Sequence, residues 1–118
     1  MRKHEIESRK LVIFDIDVQG HEAVRKRLRD ITTSVFITTP TLSILQDRLY
    51  KRSTDSVEVI QKRIEMAKRE VQRINEYDFL VINDNLDEAA KMLVLIAKSA
   101  RLKTSTEEVN EFIQNWEF

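Results

Sequence analysis

The sequence predicts an α/β fold in which three short parallel strands alternate with long helices. Three apolar runs, residues 11–14, 34–38 and 79–82, are continuous rather than alternating, which is how strands buried on both faces read. Segments with helical periodicity separate them, and parallel strands need such crossovers. A single Gly and a single Pro in 118 residues favour long helices joined by loops of Ser, Thr, Asn and Asp. The length and an apolar content of 42% suit one domain over residues 1–118, with no internal repeat, low-complexity stretch or linker.

The elements follow in chain order. The first strand ends on two acids, Asp15 and Asp17, ahead of Gly20. The segment HEAVRKRLRD then puts Ala23, Val24 and Leu28 on one face of a short amphipathic helix. After the second strand, Thr39 and Pro40 read as the N-cap and first position of a helix, where proline's missing N–H is not needed. Its buried stripe is Leu42, Leu45 and Leu49. The longest periodic element carries Ile60, Ile64, Ala67, Val71 and Ile74 on one face. Asp55 with Glu58 reads as its capping box, and Glu58 with Lys62 and Glu65 with Arg69 as supporting pairs. Beyond the third strand, Asn85 and Glu88 cap a helix running to about Leu102, with Ala89, Leu93, Ile96, Ala97 and Ala100 facing inward. Ser105 and Glu108 cap a last helix whose stripe of Val109, Phe112, Ile113 and Trp116 is predicted to dock.

Composition removes several functions. Twenty Lys and Arg balance twenty Asp and Glu, so no global field points to nucleic acid or an anionic membrane. The absence of cysteine removes disulfides, thiolate metal sites and a cysteine nucleophile. The start MRKHEIESRK lacks the apolar core of a signal peptide and no run reaches membrane-spanning length, so the expectation is a soluble, cytoplasmic protein. One glycine, Gly20, is too few for a GxxxxGK[ST] phosphate loop.

Ligands of open parallel sheets bind outside the carboxyl ends of the strands. Those ends carry Asp15 and Asp17, Thr38 and Thr39, and Asn83 and Asp84, which are expected along one rim. Asp15 and Asp17, two residues apart, face the same side. They suit either an indirectly held Mg2+ or the N–H groups of the next loop. Arg48, Arg52 and Arg63 flank the hydrophilic turn STDS, an arrangement that brings guanidiniums onto one phosphate. Lys68, Arg69 and Arg73 read as a solvated face. His4 and His21 are expected on the surface and outside any metal site, Met66 and Met92 in the core, and Ser34 lacks the histidine a nucleophile needs.

Laid out in this way, the chain resembles the C-terminal part of guanylate kinases from about Leu11 to Leu102. FDIDVQG is similar to that family's strand end [LF]-[DE]-I-D-x-Q-G. SVFITTPTLSILQDRLYKRSTDSVEVIQKRI resembles S-x-F-I-x-P-P-S, L-x-x-R-L, R-G-T-D-S and I-x-x-R, and YDFLVINDNLDEA resembles Y-D-Y-x-[IV]-x-N-D-D-L-D-x-A. Ser53 stands where the family's lid has glycine. The resemblance implies a partial nucleoside-monophosphate-kinase fold with the P-loop strand missing, a lid over about 41–74 and a helical tail over 103–118. It implies ATP-dependent phosphorylation of GMP to GDP in the full-length enzyme, with Mg2+ accompanying ATP. Arg48, Arg52 and Arg63 would clamp phosphates, Asp15 and Asp17 would hold Mg2+ water or contact the monophosphate, and Asn83 and Asp84 would line the adenine side. No direct metal ligand and no tightly bound cofactor are implied.

The family's P-loop and GMP-reading region have no counterpart in these residues, so the chain alone is expected to be inactive. The missing strand would leave a gap beside the first strand and SVFIT, closed by rearrangement or in a homo-oligomer or swapped dimer. A non-catalytic interaction module and one half of a split enzyme are the alternatives.

Overall fold

The computed structural model describes residues 2–6, 11–52 and 54–116, the first of these segments by its backbone. Ser53 and the side chain of His4 lie outside that description. Two compact units result, Ser34–Val94 and the segments on either side of it. The three strands stand where the apolar runs place them, as β2 (Leu11–Asp15), β3 (Val35–Thr38) and β4 (Phe79–Ile82).

In the unit Ser34–Val94, β3 and β4 pair in parallel, from Val35 opposite Phe79 to Thr38 opposite Ile82. Their crossover carries α2 (Leu42–Arg52) and α3 (Val57–Val71), which pack on each other. Asp78 Oδ2 accepts from the Ser34 N–H at 2.8 Å and from its hydroxyl at 3.4 Å, while the Asp78 N–H donates to Ser34 Oγ at 3.2 Å. The Phe79 N–H donates to the Ser34 carbonyl at 3.0 Å, and at the far end the Asn83 N–H donates to the Thr38 carbonyl at 2.7 Å. This clasp fixes the register from the entrance of the sheet and engages the Ser34 hydroxyl. Phe36 and Tyr77 meet edge to face, 5.1 Å between ring centroids, a geometry that favours the rings' quadrupoles.

The helix caps shift from the sequence expectation. Thr41, not Thr39, caps α2: its hydroxyl accepts from the Ile44 N–H at 3.1 Å, and Thr39 donates to the Thr41 carbonyl at 2.8 Å. Pro40 therefore lies ahead of the cap, where its fixed φ suits a bend. Ser56, not Asp55, caps α3 by accepting from the Val59 N–H at 3.3 Å. Ile60 and Ile64 are buried and Ala67 is half-buried as the stripe requires, but the helix ends at Val71 and Ile74 falls in a 3-10 turn, Ile74–Glu76. Arg73 grips Glu76 across that turn through Nε and Nη2, at 2.6 and 2.8 Å, and is only 32% exposed, so it departs from the solvated face. Glu65 pairs with Lys68 at 3.0 Å, three residues on, in place of Arg69.

Asn85 caps α4 (Leu86–Ala100) as its sequence predicts, accepting from the Glu88 N–H at 3.1 Å, and Ala89 is buried. Only Val81 of β4 is buried; Phe79, Leu80 and Ile82 remain exposed because the sheet among the described residues has two strands. Met66 and Met92 are half exposed, against the expectation of core positions. Met66 lies across α3 from Ile64, and Met92 about a quarter of a turn off the Ala89 and Leu93 line.

In the other unit, β2 pairs with a strand the sequence reading did not assign, β1 (Arg2–Ile6). The pair is antiparallel, Arg2 opposite Asp15 and Ile6 opposite Leu11, so among the described residues parallel pairing is confined to β3 and β4. RKHEI lacks the apolar run that marks a buried strand, and an outer strand of an antiparallel pair needs none. Helix α1 (Val18–Leu28) begins before Gly20, not after it, and its buried residues are Val18 and His21. His21 is 4% exposed, contrary to its surface assignment, because three residues separate it from Val18 and one helix face carries both. Ala23 and Leu28 are exposed. Helix α5 (Thr106–Asn115) has the capping box of Ser105 and Glu108, yet Val109, Phe112, Ile113 and Trp116 are all exposed. Thr106 donates to Asp30 Oδ2 at 3.2 Å and Lys103 to the Thr32 carbonyl at 2.8 Å, tying the start of α5 to the turn after α1. No helix among the described residues is long and apolar enough to cross a membrane.

The clasp predicts that Asp78→Ala lowers stability by about 1–2 kcal/mol, read as a fall in the urea midpoint, because it leaves the Ser34 N–H without its acceptor. Asp78→Asn keeps an acceptor oxygen and is expected to recover most of that loss.

Candidate functional site

The rim begins with β3 and β4, whose parallel register carries Thr38 and Asn83 to the same end of the sheet. Arg48, in the second turn of α2, reaches this end: Nη1 donates to the Asn83 carbonyl at 2.8 Å and Nη2 makes a longer contact, 3.5 Å, with the Asp84 carbonyl. Arg48 is half-buried there. A planar guanidinium with a fork of donors can hold two successive main-chain oxygens, which an ammonium does less well. Beside it lies a cavity of about 240 Å³ whose lining includes Thr38, Thr39, Leu45, Glu70 and Asn83. Sequence reasoning placed Arg48 and Asn83 in the same site but gave no sign of this direct bond, since nothing in spacing links a helix side chain to a main-chain carbonyl 35 residues on.

The other two arginines have different surroundings. Arg63 Nη2 stands 3.1 Å from Asp55 Oδ2, an ion pair that uses the carboxylate the sequence reading had spent on a helix cap. With Ser56 taking the cap, Asp55 is turned to Arg63. Arg52, the last residue of α2, is exposed and has no described hydrogen bond or ion pair. The structure thus joins Arg48 to Asn83 and Asp84, and Arg63 to Asp55.

Asp15 and Asp17 belong to the other unit. Asp15, the last residue of β2, is exposed. Asp17 caps α1, Oδ1 accepting the Gly20 N–H at 2.6 Å, so one of the two roles left open by its spacing, acceptor for the next loop, is occupied. A Cβ at residue 20 would come within 3.1 Å of that same oxygen, so a larger residue there would press on the cap. Among the described residues no group of three or more His, Cys, Asp or Glu could hold a metal. Two exposed carboxylates fit an ion held through water and phosphate oxygens, the usual state of Mg2+, rather than a protein cage.

Comparison with known proteins gives one family. The profile described as Guanylate kinase matches residues 3–100. A guanylate kinase of Sulfurimonas denitrificans is 61% identical over 115 residues, 98% of this chain and 56% of the relative. That of Wolinella succinogenes is 43% identical over 107 residues, 91% and 50% of the two chains. One from Helicobacter pylori is 46% identical over 90 residues, 76% of this chain and 43% of the relative. The chain spans about half the length of the relatives it matches.

The capping geometry of Asp17 predicts that Asp17→Ala costs about 1 kcal/mol in chemical denaturation, whereas Asp17→Asn, an equally good N-cap, stays within a few tenths. A loss in Asp17→Asn as large as in Asp17→Ala would mean that the charge, not the cap, is what the fold uses.

Proposed function

The chain belongs to the guanylate kinase family, and on that premise we propose that it forms the phosphate-clamping part of an enzyme that moves a phosphoryl group from ATP to GMP. The observation that carries this reading is the Arg48 bond to Asn83, because it unites a helix arginine with the strand end at which a nucleotide would rest. Phosphoryl transfer asks little covalent chemistry of the protein and depends on positioning and on neutralising charge. In the proposed site Arg48, Arg52 and Arg63 donate to phosphate oxygens, bidentate where the fork allows. Asn83 and Asp84 line the side occupied by the base. In the other unit, Asp15 and Asp17 would hold Mg2+ through water. Closure of α2 and α3 as a lid would exclude water and suppress hydrolysis.

The 118 residues supply no GxxxxGK[ST] loop and hence no lysine or hydroxyl of that loop. A second reading keeps the same roles but makes the chain one half of a split enzyme; exposed Phe79, Leu80 and Ile82 on β4 favour it. A separately produced complementary half that restores turnover would establish that reading.

The polypeptide alone is expected to release no ADP above a buffer blank with ATP, GMP and Mg2+. Binding tests the clamp itself: in a fluorescent-nucleotide titration, Arg48→Ala and Arg63→Ala are each expected to weaken ATP binding about tenfold, ~1.4 kcal/mol. Unchanged affinity in both variants would overturn the proposal.

A further inference from the structure

Arg48 and Arg63 rest on acceptors of very different kinds. Arg48 donates to neutral main-chain carbonyls, whereas Arg63 faces the full negative charge of Asp55. The second contact is made through Nη2, at 3.1 Å, with the side chains 54% and 38% exposed, so solvent and an incoming anion both reach it. An ion pair this exposed is weak and exchanges readily. The helix cap is Ser56, so capping α3 is not the role of the Asp55 carboxylate. Asp55 lies just ahead of the α3 cap and Arg63 in the second turn of α3, while Arg52, exposed, ends α2 three residues before Asp55.

We propose that Asp55 is a positioning residue that competes with phosphate for Arg63 and so sets the affinity at which these helices engage a polyphosphate. The inference rests on the proposed phosphate role of the arginines. A single carboxylate is displaced by a polyphosphate, whose several charged oxygens outmatch it, and is left in place by a neutral nucleoside. Asp55 therefore biases the site toward highly charged ligands, and it keeps Arg63 neutralised until one arrives.

The test is calorimetric titration of inorganic tripolyphosphate into the full 118-residue chain and three variants, Asp55→Asn, Arg63→Ala and the double variant. Asp55→Asn is expected to tighten binding two- to fivefold, and the same change in the Arg63→Ala background to alter it by less than about 1.5-fold. Asp55→Glu, which retains a carboxylate for Arg63, is expected to match the parent chain, and serves also if Asp55→Asn fails to fold. An equal gain from Asp55→Asn in both backgrounds would reduce the effect to general charge removal and overturn the inference, as would a gain in Asp55→Glu. Failure of the phosphate reading has a different signature: Arg63→Ala binds as the parent does, or none of the chains binds at millimolar ligand.

Discussion

The reciprocal grip of Ser34 and Asp78 is the constraint on which the far end of β3 and β4 depends. Two side-chain and main-chain pairs at the entrance of β3 and β4 leave one parallel register, since a slip by one residue would break the clasp and turn every side chain to the opposite face. Fixed at that end, the sheet delivers the Thr38 carbonyl to the Asn83 N–H at the other. Asn83 then presents its own carbonyl to Arg48. A link made of short polar contacts thus runs from a turn with no catalytic residue to the residue that ties α2 to the sheet.

The site has two electrostatic settings. At the strand end, arginine is held by peptide dipoles, which position a guanidinium without cancelling its charge. At the start of α3, arginine is held by a carboxylate, which does cancel it. Neutralising phosphate charge needs cations that are both placed and available, and under the proposed phosphate role the two settings divide those requirements: Arg48 would be the placed cation, Arg52 an available one, and Arg63 available once Asp55 is displaced.

Much of this was legible in the residues themselves. Continuous apolar runs located β2, β3 and β4, Asn85 and Ser105 announced the starts of α4 and α5, and the block from FDIDVQG to YDFLVIND carried the family. The misreadings share a physical cause. Adjacent hydroxyls and acids, Thr39 against Thr41 and Asp55 against Ser56, are equivalent as caps on paper, and side-chain partners decide between them. Strand β1 has no apolar signature because an antiparallel partner at an edge requires only backbone pairing. His21 shares the buried face of α1 with Val18, a placement that depends on the helix beginning at Val18 instead of after Gly20. The bonds that build the site, Arg48 to Asn83 and Asp78 to Ser34, join residues far apart in the chain, and no local pattern encodes them. The exposed stripes on β4 and α5 follow the opposite rule: their periodicity is clear in sequence, and the described residues provide no cover for them.

Amide hydrogen exchange in Asp78→Ala measures the account most directly, because the substitution removes the carboxylate that accepts from both the Ser34 N–H and its hydroxyl at the entrance of the sheet, and the readout lies at the other end. If the clasp sets the register, the Asn83 N–H, bonded to Thr38, exchanges markedly faster in the variant, together with Val81 within the strand, while amides in the middle of α5 keep their rates. Unchanged protection of Asn83 and Val81 in a folded Asp78→Ala chain would contradict the account, for the strand end would then hold its place without the carboxylate's grip.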